Sequence, residues 1–133
     1  ALSLLYRTGK GVPQSDLVAA RWMGRAAHDN NVPAEVEYAI MLFNGQGVTK
    51  DETAAASLFL KAAAANNPIA QNRIARLLVV GRGIKQDVVE AMKWHVLARA
   101  SGEKDTWLDD VLKKLTPVQK KAVEEAVHDY VGY

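Results

Sequence analysis

A short glycine loop recurs along this chain at a fixed interval, and that recurrence limits its fold more than any other feature. "GKGV" starts at Gly9, "GQGV" at Gly45 and "GRGI" at Gly81, each 36 residues after the last. The register extends well beyond the loop. Ala19, Ala55 and Ala91 align, as do Ala26, Ala62 and Ala98, and upstream Ser3, Ala39 and Ala75. Trp22, Leu58 and Trp94 share one large apolar position, and Tyr6, Leu42 and Leu78 share another. Self-similarity at such a period marks a solenoid, in which each unit buries its apolar face only against its neighbours.

Each unit reads as two helices around the loop. In the second unit Ala34, Tyr38, Met41 and Leu42 fall on one side of a first helix. The glycines end it, because they adopt backbone conformations that other residues resist. The second helix is expected to start from an N-cap, Asp51 or Asp87 in the later units and Ser15 in the first. It runs on through Ala54, Ala55, Leu58, Phe59, Ala62 and Ala63, and the stretch from Asn66 to Pro68 stops it, as Asn30 to Pro33 does one unit earlier. The alanines let helices approach closely while a Trp or Leu fills the remaining gap. These signals predict one domain over 1–133, with units at about 1–30, 31–66 and 67–102 and a cap over 103–133.

In the cap, Trp107, Leu108, Val111, Leu112 and Leu115 predict one amphipathic helix. Thr116-Pro117-Val118-Gln119 then predicts a helix start, with Thr as cap, Pro in the first turn and Gln as capping-box partner. Val118, Ala122, Val123, Ala126, Val127 and Tyr130 form its apolar stripe, and Lys120, Lys121, Glu124 and Glu125 its outer face. At the other end Ala1 aligns with Glu37, so the register predicts that the chain is the C-terminal part of a longer array.

Composition narrows the partner. The 133 residues carry 17 Lys+Arg against 15 Asp+Glu, a net charge of +2. That balance argues against nucleic acid, which needs clustered positive charge. The chain has no cysteine, which removes disulfide and thiol chemistry. No apolar run reaches the roughly 20 residues of a membrane span, so direct membrane insertion is not expected.

The pattern Ala-x3-(Leu/Tyr)-Ala-x2-Leu-x2-Gly-x-Gly-Val-x2-Asp, followed by Ala-x2-(Trp/Leu)-(aromatic)-x2-Ala-Ala, resembles the Sel-one-like repeat, a relative of the tetratricopeptide repeat. Ala34 to Ala63 match it closely; Ala70 to Ala98 match with Arg99 in place of the second alanine; Leu2 to Ala27 match with Pro13 inserted and Ser15 where Asp is usual. "LTPVQKKAVEEA" is similar to the capping helix of bacterial members. The resemblance implies an all-α, right-handed α/α superhelix that serves as a scaffold for protein assembly or signalling, in bacteria often exported or periplasmic. Some cysteine-rich members have been linked to β-lactams. Their disulfides are missing here, so that activity is not carried over.

Motifs that could carry chemistry are weak. The glycine loops lack the length or following lysine of a phosphate cradle. Ser101-Gly102-Glu103-Lys104 fits Ser-x-x-Lys formally, but Gly102 interrupts the helical turn the motif needs. His28, His95 and His128 lack ligand spacing, so neither metal nor cofactor is expected. His95 takes an aromatic position and is read as packing or partly exposed, and Trp22, Trp94 and Trp107 are read as core. The stronger candidate is the outward face of the first helices. If Ala70, Ile74 and Leu78 face inward, Asn72, Arg73, Arg76 and Val80 lie opposite. Val36, Glu37, Ile40 and Asn44 are their counterparts one unit earlier, with Phe43 close by, and Leu4, Arg7 and Thr8 two units earlier. Val36, Ile40, Phe43, Arg73, Arg76 and Val80 are therefore the expected partner-binding residues, on a concave face that takes a protein or peptide. Two alternatives stay open: a protein that binds or hydrolyses cell-wall fragments or β-lactams, and a self-assembly module that buries the same apolar residues against another copy.

Overall fold

A computed structural model describes residues 13–132, and all regular structure among them is helical. The helices are α1 (Pro13–His28), α2 (Val32–Asn44), α3 (Glu52–Ala64), α4 (Pro68–Val80), α5 (Val88–Ala100), α6 (Thr106–Lys113) and α7 (Pro117–Val131). The first glycine loop, the helix expected before it, and Leu4, Arg7 and Thr8 lie outside the described residues.

Helices pack in chain order, α1 on α2 through α4 on α5, and α7 then packs directly on α5. Alanine makes this stacking possible. Ala19, Ala39, Ala55, Ala62, Ala75, Ala91 and Ala98 are all fully buried. Phe59, Ile74, Leu78, Met92 and Trp94 fill the space between them in one continuous core.

Helix ends follow local chemistry. The Asp51 and Asp87 carboxylates accept from the Ala54 and Glu90 amides, at 3.0 Å each. Asn30 and Asn66 take positive φ and end their helices, while the adjacent Asn31 and Asn67 cap the next ones by accepting from Ala34 and Ala70. Each asparagine pair thus stops one helix and starts another. The cap box is present in full, with Gln119 N donating to Thr116 Oγ1 and Thr116 N to Gln119 Oε1. Ser15, expected to precede its helix as the cap, is included within α1.

The glycine loops are joints between units. Gly45 and Gly81 take left-handed φ and return their amides to Met41 and Leu77. Gly47 and Gly83 make the closer approach. A Cβ on Gly47 would lie 2.1 Å from the Asp16 carbonyl oxygen, and one on Gly83 would lie 2.2 Å from that of Glu52. Each loop therefore rests on the opening turn of the preceding unit's second helix, where no side chain fits.

Candidate functional site

A first helix in this stack packs on its own partner and on the second helix of the preceding unit, so much of its circumference is covered. In α4 that buries Ala70, Gln71, Ile74, Ala75, Leu77 and Leu78 and leaves Arg73, Arg76 and Val80 exposed. In α2 the matching stripe includes Ile40 and Asn44. Val36 does not belong to it. At 5% exposure it is part of the core, and its counterpart Asn72 is turned toward the next unit, where it donates to Asp105 at 2.8 Å. The buried arc of the helix is wider than a single apolar stripe predicts.

The two stripes meet across a groove of about 350 Å³. Ile40, Phe43 and Asn44 line it from α2, and Arg73, Arg76, Leu77 and Val80 from α4. Phe59 of α3, Arg82 of the glycine loop and Trp107 of α6 complete it. Five of the six residues expected at the site, Ile40, Phe43, Arg73, Arg76 and Val80, are thus brought together.

All the titratable groups in this lining are arginines, and their environments differ. Arg76 Nε lies 2.6 Å from Asp105 Oδ2, and its Nη2 lies 3.0 Å from Oδ1. The same guanidinium stacks over the Trp107 ring at 5.2 Å. Asp105 also caps α6 through the Leu108 amide. Its burial works to raise its pKa, but the bonds from Arg76, Asn72 and Leu108 outweigh burial and hold it below its ordinary value of 3.8. Arg82 pairs with Glu52 of the preceding unit and lies over the Phe43 ring at 4.8 Å. That pairing is the main reason the Glu52 carboxyl is held below its usual range. Arg73 has no ion-pair partner among the described residues.

Trp107 and Arg82 were not legible as site residues. Trp107 was expected in the core with Trp22 and Trp94, yet only Trp94 is buried there, at 3% exposure. Trp107 is 42% exposed, one position off the stripe of Leu108, Val111, Leu112 and Leu115, and that offset of about 100° was the available signal. Trp22, at the same register of α1, is 44% exposed. His95 is fully buried, with Nε2 lying 2.7 Å from Asp109 Oδ1. Ser101 ends α5 and Lys104 follows in the turn, so the Ser-x-x-Lys residues do not share a helical turn. Among the described residues no group of three or more His, Asp or Glu side chains gathers as a metal ligand set, and no helix is long and apolar enough to cross a membrane.

Helix pairs stacked through glycine loops, with an apolar groove across successive first helices, define a helical-repeat solenoid. The Sel1 repeat model matches residues 1–31, 32–67 and 68–103, and the chain belongs to the Sel1 repeat family. Two solved structures share the fold. One is c5321, a protective antigen present in uropathogenic Escherichia coli strains and displaying an SLR fold, 24% identical with a TM-score of 0.81 over 98% of this chain and 28% of that one. The other is a Sel1 repeat protein from Oxalobacter formigenes, 28% identical with a TM-score of 0.70 over 76% of this chain and 42% of that one. The chain thus spans less than half the length of either. No curated protein matches it.

Proposed function

We propose that this protein is a non-catalytic scaffold that captures a partner segment in the groove between α2, α4 and α6. One observation carries this reading: the exposed stripes of two successive first helices converge with Trp107 on an apolar floor bordered by cations. Membership of a repeat family whose members mediate protein interactions supports it. The groove is already formed, so a ligand would lose little of its binding energy to ordering the protein. Its arginines stay protonated near neutral pH and suit binding better than proton transfer. A large apolar or aromatic side chain entering between Ile40, Phe43, Val80 and Trp107 would be the anchor.

Val80→Asp tests this, because Val80 is 51% exposed and its loss should leave the fold intact. Peptides selected from a displayed random library on the native protein should be rich in such anchors. They should bind Val80→Asp at least about tenfold more weakly, with the melting temperature unchanged. Equal binding to the folded variant would rule out this groove.

A further inference from the structure

The apolar groove opens, at Arg73 and Arg76, onto a second recess of different character. Asn72, Arg73, Arg76, Lys104, Asp105 and Thr106 line it. Arg73 and Arg76 border both hollows, so a ligand in one lies beside the other. The recess holds three cations and one anion. Asp105 is not free to repel a ligand: Arg76 and Asn72 occupy Oδ2, Arg76 and the Leu108 amide occupy Oδ1, and its charge is matched by Arg76. Arg73 and Lys104 remain, both exposed and neither paired with a described residue. Their two uncompensated positive charges lie next to an apolar pocket.

We propose that this recess takes the carboxylate of an Asp or Glu side chain in the partner, close in sequence to the apolar residue that fills the groove. This rests on the groove being the binding site. Arg73 is the receptor, because a guanidinium offers a fork of donors that matches a carboxylate. Lys104 adds charge without fixed geometry. Arg76 is a positioning residue, already engaged with Asp105 and supporting Trp107 by stacking. The recess is open to solvent, and nothing in it demands a chain end, so the partner's chain passes through it rather than ending there. An acidic side chain of a continuing segment is therefore the occupant, not a terminal carboxylate. Asp105, held by Arg76 and Asn72, is a carboxylate already seated on the neighbouring donors of the same α4 face.

Blocked heptapeptides, acetylated and amidated, provide the test. Each carries Leu, Phe or Trp as anchor, with Glu one, two or three positions later. Matched peptides carry Gln instead, and a third set carries Gln with a free C-terminal carboxylate. Dissociation constants come from NMR titration, read at the Trp107 indole and the backbone of α2 and α4. At least one Glu peptide should bind about five- to tenfold tighter than its Gln partner. The advantage should shrink as salt rises. In Arg73→Gln the ratio of Glu-peptide to Gln-peptide affinity should fall toward one, whatever the change in affinity for the Gln peptide itself. Equal binding of Glu and Gln peptides would overturn the carboxylate assignment while leaving the groove intact. A gain that appears only with the free C-terminus would overturn the side-chain assignment. If no peptide perturbs Trp107, α2 or α4, the groove reading fails and this inference with it.

Discussion

The joints between repeats and the joint between the last repeat and the cap solve the same problem by different chemistry. At the repeat joint, backbone meets backbone. Gly83 lies against the Glu52 carbonyl, Gly47 against that of Asp16, and alanines fill the helix contacts. At the cap joint, side chains do the joining. Trp94 meets Tyr130 edge to face at 5.2 Å, His95 and Arg99 converge on Asp109, and Arg76 and Asn72 hold Asp105. The first design can be copied indefinitely, because small residues and glycines place no demand on what comes next. The second occurs once among the described residues, where α5 meets α6 and α7. It also leaves Trp94 Nε1 and His95 Nδ1 buried without partners. The repeat contacts carry such an atom too: Gln71 Oε1 is buried without a partner where Gln71 Nε2 donates to the Ala63 carbonyl.

Substitutions that exchange the two designs should separate them. The largest effect is expected for Gly83→Ala, which combines a strained positive φ with a clash against rigid backbone. It should cost roughly 4 kcal/mol and lower the melting temperature by more than about 10 °C. Gly102→Ala supplies the contrast. Gly102 also has positive φ, but a Cβ there meets nothing within 4 Å, so only about 1 kcal/mol of strain is expected. Equal effects in the two variants would remove close approach as the reason for the recurring glycine.

Trp94→Ala should come next, at about 3 kcal/mol, whereas Trp22→Ala at the same register should change stability by less than about 0.5 kcal/mol. Chemical denaturation of the pair isolates what α7 contributes, since α7 is what covers one tryptophan and not the other. Hydrogen exchange should show Trp94→Ala opening α7 first and leaving α2 and α3 protected.

A smaller effect concerns acid. Asp105 and Asp109 are both held below the ordinary carboxylate pKa, Asp109 chiefly by its bond to His95. Depressed values mean that both carboxylates contribute stability above about pH 4 and lose it as pH falls through their folded values. The cap joint should therefore weaken below about pH 4, and Asp105→Asn should flatten part of that slope in a pH series of melting curves. An unchanged slope would show that Asp105 does not carry the acid response.

The same contrast explains what could be read in the chain beforehand. The helix pairs, the Asp51 and Asp87 caps, the capping box at Thr116 and the inward residues Ile74 and Leu78 all followed from periodicity or local capping chemistry. The cap joint was opaque because each of its contacts occurs once. Nothing near Asp105 in sequence points to Arg76, 29 residues earlier, and nothing near His95 points to Asp109. Val36 was misplaced because it belongs to a core shared among several helices, which a pattern within one helix does not reveal. Val118 was expected on the inner stripe of α7 but is 79% exposed in the first turn, away from the contact centred on Val123. Trp107 joined the groove by lying one position off a stripe that composition alone would assign to the core.

Titration of a library-selected peptide into isotope-labelled protein is the decisive test of the proposed groove on the stacked first helices. Shifts should concentrate at Ile40, Phe43, Arg73, Val80 and the Trp107 indole, and all should be lost in Val80→Asp. Shifts centred instead on Trp22 and the exposed side of α1, with the groove silent, would contradict that proposal.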